Sequence, residues 1–325
     1  MKLDKLDSIK YRYITLKHPK MVAMLKIQDE ILTAIREFLR KHGFIEILAP
    51  IIGPATDPGI RGAKQVMINF YGQKFRLMSS MILYKQMAIS SINKIFSLSP
   101  NIRIEPIKSA QTGRHLAEFR QIDLEEAYAT YEDSMYLGEK MIVYVLKDLK
   151  KKCFKELKIF NRNIKIPKTP FKRLTHHQAV EAVRKLGFKM GDEEEIPWEA
   201  EEALSAQNSE PFWITDYPLK ARGFYYLEDP KTKRLRDFDL ILPEGFGEVI
   251  SGGEREHEYQ KVVERMKKTG ENPKKYKWYL GMLKAGIPPS SGFGIGVERL
   301  TRWVCGIEKI WEAVPFPKVP GIVSP

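Results

Sequence analysis

The chain has 325 residues, with 54 Lys and Arg against 41 Asp and Glu, a formal net charge of +13 at neutral pH. Hydrophobic residues at 43% and charged residues at 29% describe an ordinary soluble globule, long enough to bury a large core as one or two domains. No apolar run reaches the roughly 18 residues of a membrane span. The start, Met1-Lys2-Leu3-Asp4-Lys5, lacks the apolar stretch of a signal peptide, and Cys153 and Cys305 supply neither a disulfide framework nor a Cys-x-x-Cys metal pair. The expectation is a cytosolic protein with no membrane partner and no structural zinc.

In chain order, a short basic extension, residues 1–20, precedes an amphipathic helix expected over about residues 21–41, where Ile27, Ile31, Ala34, Phe38 and Leu39 recur at helical spacing. Gly43 stops it, and Phe44–Leu48 reads as a strand that Pro50 ends. Gly53, Pro54, Pro58, Gly59 and Gly62 mark a long loop over residues 51–64. Strands are expected near 66–70, 74–78, 95–99, 102–107 and 119–128, then a helix over about 132–150.

Residues 147–173 carry eleven Lys or Arg and two acids, a surface that would attract RNA or simply be a solvated, lysine-rich face. Residues 151–210 read as an insertion that swings from lysine-rich to acidic, with seven carboxylates between Asp192 and Glu202. Strands resume at 212–214, 236–242 and 247–251, followed by a helix through 254–269. Strands outnumber helices and most neighbours read as joined by hairpins, so the fold class is α+β, an antiparallel sheet flanked by helices.

Chemistry concentrates at Gly292-Phe293-Gly294-Ile295-Gly296-Val297-Glu298-Arg299. Three glycines alternating with apolar residues make a strand whose backbone something must approach closely, and Arg299 at its end could grip a phosphate with two parallel hydrogen bonds. In Asn101-Ile102-Arg103-Ile104-Glu105, Arg103 and Glu105 are two apart and share a strand face. After a loop with Gly113, Arg114 and His115 come Phe119, Gln121 and Asp123 on the return strand of a hairpin.

Together these segments resemble the three ordered motifs of a class II aminoacyl-tRNA synthetase catalytic core: residues 27–50 the first, 101–125 the second, 292–300 the third. The resemblance runs from about residue 11 to the end, so residues 21–325 are expected to form one catalytic domain apart from the insertion. It implies ATP and magnesium ions as cofactors. Arg103 would hold the α-phosphate and the reacting carboxylate, with Arg299 as the second catalytic cation covering the adenine. Glu105 would accept the adenine amino group, Phe119 would stack on the base, and Arg114 and His115 would reach the γ-phosphate. Asp239, Glu248 and Ser251 would be the metal ligands, hard oxygen donors suited to magnesium.

The stretch Glu248 to Arg255 resembles the aspartate-specific branch, and Ser80-Met81-Ile82-Leu83-Tyr84-Lys85-Gln86 the aspartyl enzymes' substrate helix. That resemblance implies a two-cation clamp of Lys85 and Arg255 selecting aspartate over asparagine, with Asp57, Gln121 and Asp123 near the α-ammonium. Three departures stand out: Ile82 for a usual glutamine, Ser290 and Ser291 for a usual histidine, and two extra residues in the turn Pro243–Gly247.

Only about 20 residues precede the first-motif helix, too few for the anticodon-reading barrel of such enzymes. With Ser-Gly-Gly-Glu-Arg-Glu at 251–256 and Pro-Phe-Pro-x-Val-Pro-Gly-Ile near the end, the chain is similar to the archaeal asparagine synthetases related to this branch. The leading expectation is therefore an AMP-forming aspartate–ammonia ligase, with aspartate and ammonia as partners. A truncated aspartyl/asparaginyl-tRNA synthetase paralogue is the alternative, tRNA being the partner not favoured. A non-catalytic RNA- or partner-binding paralogue is the third. A homodimer is expected because the first-motif helix would otherwise expose an apolar face.

Overall fold

The computed structural model describes residues 9–57 and 63–322; residues 1–8 of the expected extension and 58–62 of the expected loop lie outside the described residues. Eleven strands are found among the described residues. They are Ile45–Glu46 (β1), Ile52–Gly53 (β2), Met67–Phe70 (β3), Gln73–Leu77 (β4), Lys94–Ile102 (β5), Glu118–Ala127 (β6), Lys172–Thr175 (β7), Phe212–Thr215 (β8), Asp237–Leu242 (β9), Gly247–Glu254 (β10) and Ser290–Gly296 (β11). The α-helices are Arg12–Thr15 (α1), Pro19–Lys41 (α2), Ile82–Ala88 (α3), Tyr131–Lys152 (α4), Phe154–Ile159 (α5), His176–Lys185 (α6), Trp198–Ala206 (α7), Tyr259–Lys268 (α8), Lys277–Ala285 (α9) and Val297–Cys305 (α10).

Eight strands form one sheet in the order β1-β5-β6-β11-β10-β9-β8-β7. Its interior is antiparallel, while the two edge pairs, β1 with β5 and β7 with β8, are parallel. Hairpins join fewer neighbours than expected, because β11 comes from the far end of the chain to lie between β6 and β10. β2, β3 and β4 form a separate three-stranded sheet.

Period-two alternation divides the large sheet into two chemically distinct faces. The row Phe96, Leu124, Phe293, Gly252, Phe238 and the row Leu98, Ile122, Ile295, Ile250, Leu240 face the main core. Against them pack Ile27, Ile31, Ile35 and Phe38 of α2, Met141, Ile142 and Val145 of α4, and Leu300 and Val304 of α10. Pro19 at the first position of α2 and the capping box of Thr130 and Asp133 before α4 set where these helices start. The intervening rows, Ser97, Asp123, Gly294, Ser251, Asp239 and Ser99, Gln121, Gly296, are small or polar and form the floor of the opposite face.

Two smaller cores wall that polar face. One joins Ile82 and Leu83 of α3 to Phe224, Tyr225 and Tyr226 and to Val262, Met266, Tyr279 and Leu283 of α8 and α9. The other packs Ala179, Val180 and Val183 of α6 and Ala200 and Leu204 of α7 on Phe212, Ile214 and Ile241. Residues 151–210 thus extend the edge of the same large sheet through β7 and share a core with β8 and β9.

Three expectations are corrected here. The strand expected over 102–107 is not a continuous ladder: β5 ends at Ile102, Ile104 makes only an isolated antiparallel bridge to Lys64 with Arg103 and Glu105 on either side of it, and residues 107–112 wind into a 3-10 helix. The strand over Phe44–Leu48 shortens to the two residues of β1. The apolar face of α2 is filled by the chain's own core, so it gives no argument for a second copy; exposed apolar residues are Val22 on the helix and Ile45, Leu48 and Ile51 beyond it. Among the described residues no helix is long and apolar enough to cross a membrane.

Candidate active site

The polar floor opens into a cavity lined by Asp57, Lys85, Arg103, Glu105, Arg114, His115, Phe119, Gln121, Asp123, Glu248, Ser251, Arg255 and Arg299. These are all the residues singled out from the sequence except Asp239. Gly294 keeps the floor low: a Cβ there would lie 3.1 Å from Asp123 Oδ1 and 3.2 Å from Gln121 Nε2.

At one end, buried charges sit in a closed network. Lys85 Nζ donates to Asp123 Oδ1 at 3.3 Å and to the carbonyls of Leu124 and Phe293 at 3.2 Å, and lies 3.5 Å from Glu125 Oε2. An ammonium has three donors, and all three are engaged. Arg255 grips Glu125 with Nε and Nη2 at 2.9 and 3.1 Å, and Nη2 also reaches the Gly292 carbonyl at 2.8 Å. Its Nη1 is buried with no hydrogen-bond partner, and Tyr226 lies under the guanidinium at 5.1 Å. Ser99 Oγ donates to Asp123 Oδ2, and Asn101 Nδ2 to Gln121 Oε1 at 3.0 Å.

The two cations thus enter one pocket, accompanied by two carboxylates, Asp123 and Glu125, that pair with them. The unpaired Arg255 Nη1 can donate to an oxygen of a carboxylate or of an amide, so this contact alone does not separate aspartate from asparagine. Asp57 Oδ1 accepts from Tyr225 Oη at 3.1 Å above this end.

The other end is richer in cations. Arg103 donates Nε and Nη2 to the Ser79 carbonyl at 3.2 and 3.0 Å and stacks over Phe119 at 5.0 Å. Arg299 Nη1 donates to the Glu248 carbonyl and Oε1, both at 3.0 Å. His115 Nδ1 lies 2.9 Å from Thr112 Oγ1, and burial together with Arg299 and Arg114 pushes its pKa down to about 3, so the ring is neutral near pH 7. Burial raises the Glu105 carboxyl against the opposing pull of Arg103 and Arg299.

A β-bulge arranges the oxygen donors. The register of β10 against β9 shifts between Glu248 and Ile250, leaving Val249 as the extra residue. Glu248 and Ser251, three apart, would face opposite sides of a regular strand; the bulge turns both into the cavity. Asp239 is the cross-strand partner of Ser251, but its carboxylate is ion-paired with Arg222, which also binds Asp237 at 3.2 Å. Among the described residues no group of three His, Cys, Asp or Glu gathers as a metal site. Glu248 and Ser251 line the cavity and fit a hard cation that also takes phosphate oxygens; Asp239, opposite Ser251, is not among the lining residues.

Several residues at the site carried no usable signal. Arg222, stacked on Tyr217 at 3.7 Å, and Tyr225 come from a segment with no motif, although the aromatic run Phe224–Tyr226 beside Arg222 was a readable hint. Glu298 lines the cavity, accepts from the Arg120 N–H at 2.9 Å, and is pushed up to about 7 by burial. Glu201, within the acidic run, binds Arg114.

The family described as tRNA synthetases class II (D, K and N) matches residues 5–320. A protein named asparagine–tRNA ligase from Pyrococcus abyssi is 34% identical over 97% of this chain and 72% of its own length. The crystal structure of asparaginyl-tRNA synthetase from Pyrococcus horikoshii complexed with asparaginyl-adenylate superposes with a TM-score of 0.93 at 31% identity, covering 99% of this chain and 74% of that one. An aspartyl tRNA synthetase from Entamoeba histolytica gives 0.84 at 27% identity, covering 100% and 64%. These likenesses overturn the expectation of free-asparagine synthesis from aspartate and ammonia. They equally overturn the expectation that tRNA is not favoured, since relatives matched along nearly the whole of this chain carry the names of tRNA ligases.

Proposed function

The chain belongs to the class II tRNA synthetases of the D, K and N group, and on that premise we propose that it is an AMP-forming ligase that activates asparagine or aspartate and transfers it to tRNA. The observation that carries the substrate reading is the buried, partnerless Nη1 of Arg255 on the cavity wall. An unsatisfied buried donor is costly, and a side-chain oxygen of either amino acid would satisfy it. Lys85, with its donors engaged by Asp123, Leu124 and Phe293, acts as the support that keeps this wall in place.

The reaction brings two anions together, the carboxylate of the amino acid and the α-phosphate of ATP, so cations must stand around the phosphorus. Arg103 would bind both. A carboxylate oxygen forms the bond to the α-phosphorus, the bond to the leaving oxygen breaks, and pyrophosphate departs. Phe119 would stack on the adenine, Arg299 would cover its other face, and Glu105 would accept its amino group. Asp57, with Gln121 and Asp123, would receive the α-ammonium. His115 would act as a neutral hydrogen-bonding group at the phosphates.

Class II synthetases use ATP and magnesium. Here Glu248 and Ser251 would hold the ion, which when bound neutralises phosphate charge. In the second half-reaction a ribose hydroxyl of tRNA attacks the activated carbonyl and AMP leaves. Incubation with ATP, magnesium, tRNA and labelled asparagine or aspartate should give acid-precipitable aminoacyl-tRNA that is labile to mild base. Absence of acylated tRNA with both amino acids would refute the tRNA reading.

A further inference from the structure

Helix α7 touches two cavity-lining residues, Arg114 and Glu248, through one buried side chain. Glu201 is 4% exposed, and its Oε1 accepts two hydrogen bonds, from Arg114 Nη2 at 2.6 Å and from the backbone N–H of Glu248 at 2.8 Å. The first residue of the helix adds a third link, Arg114 Nη1 donating to the Trp198 carbonyl at 3.1 Å. The fit is close: Gly247 has φ +72°, and a Cβ there would lie 2.5 Å from Arg114 Nη2 and 2.6 Å from Glu201 Oε1. Arg114 is therefore not a loose cation waiting at the phosphates. It is a buried, doubly anchored group whose direction is set by a segment remote in sequence from the three motifs.

We propose that Glu201 is a positioning residue for the triphosphate end of the site. A single carboxylate oxygen fixes Arg114 and, through the Glu248 N–H, the start of the strand that carries Glu248 and Ser251. A charge-assisted hydrogen bond restricts a guanidinium far more than a neutral one does, so loss of the charge would let both the Arg114 cation and the Glu248 strand start relax. The amino-acid end is built from α3, β6 and β11 around Lys85 and Arg255, whose hydrogen bonds run to those strands and not to α7. Residues 151–210 thereby brace the nucleotide half of the cavity through α7, and meet the rest of its wall through Glu195, 3.7 Å from Arg222.

The inference rests on the ATP-activating reading above, and the test separates the two. Glu201→Gln keeps the shape and an acceptor for the Glu248 N–H but removes the charge. In amino-acid-dependent ATP–pyrophosphate exchange its KM for ATP should rise about tenfold with the KM for the amino acid within about twofold, and the Kd for ATP by calorimetry should rise in step. Leu204→Ala is the control on the same helix. Leu204 is buried in the apolar cluster that α7 shares with α6, β8 and β9, and its side chain makes no hydrogen bond to Arg114 or to the start of β10. This variant should lower Tm yet leave the KM for ATP within about twofold.

An unchanged KM and Kd for ATP in Glu201→Gln, an equal rise for both substrates, or the same ATP defect in Leu204→Ala would each overturn the positioning role. If the unaltered protein binds ATP but shows no exchange, the activation reading fails, and the calorimetric comparison still decides the role of Glu201. If it does not bind ATP at all, both fall.

Discussion

The two sides of β11 differ in every property that matters. Phe293 and Ile295 point into the main core and are fully buried among aromatic and aliphatic neighbours, while Gly294 and Gly296 line the cavity and present almost no side chain. One side is built to exclude water, the other to let a ligand lie against the backbone. Because a strand alternates with period two, seven residues can hold the fold and floor the active site without either duty compromising the other. The contrast implies that substitutions on one face should change stability, and on the other catalysis.

The largest effect is expected on the apolar side. Phe293→Ala should cost about 3–5 kcal/mol in denaturant unfolding, with the KM values of the molecules that remain folded unchanged. A small loss of stability would mean that the core is not centred where the packing places it. Next, Arg299→Ala should lower the rate of pyrophosphate exchange by about a hundred- to a thousandfold, with Tm shifted only slightly. A variant that loses its fold along with its activity would blur the division between faces.

Smaller again, Gly294→Ala puts a methyl group within 3.1 Å of Asp123 Oδ1. The KM for the amino acid should rise roughly five- to tenfold, since one methyl in a close-packed site is typically worth about 1–3 kcal/mol, and stability should hardly move. The opposite pattern, lower stability with intact binding, would contradict a ligand-facing floor.

The gentlest probe is pH. His115 has its folded pKa lowered from 6.5 to about 3, so on acidification the unfolded chain takes up the proton first. Its contribution is therefore fully present above about pH 6.5 and is lost as pH falls towards 3. Between about pH 7 and pH 5 the urea midpoint of the unaltered protein should fall more steeply than that of His115→Asn. Parallel slopes would show that His115 is not held neutral.

Much of this site was legible because its residues sit on regular elements with a pattern. The glycine strand, the return strand Gln121–Glu125 and the first-motif helix each carry a period that survives in the structure. What escaped were relations between distant segments. Nothing near Lys85 signals that Asp123 and Glu125, on another strand, will neutralise it and Arg255. The bulge at Val249 exists only against its partner β9. A family resemblance could therefore suggest that Glu248 and Ser251 face the same way, while their spacing alone argues the reverse. The ion pair of Asp239 with Arg222 was not readable either, because Arg222 lies in a segment with no motif. Glu201 was one acid among seven in a run that reads as a solvated face, and only the packing of α6 and α7 on β8 and β9 turns it inward.

The central claim is that this cavity joins ATP to a four-carbon amino acid through one free donor on Arg255. The most direct measurement is ATP–pyrophosphate exchange with asparagine, aspartate and lysine supplied separately. Exchange that depends on asparagine or aspartate, is absent with lysine, and is lost in Arg255→Lys is the predicted result. Exchange with lysine, or none with either of the other two, would contradict the account.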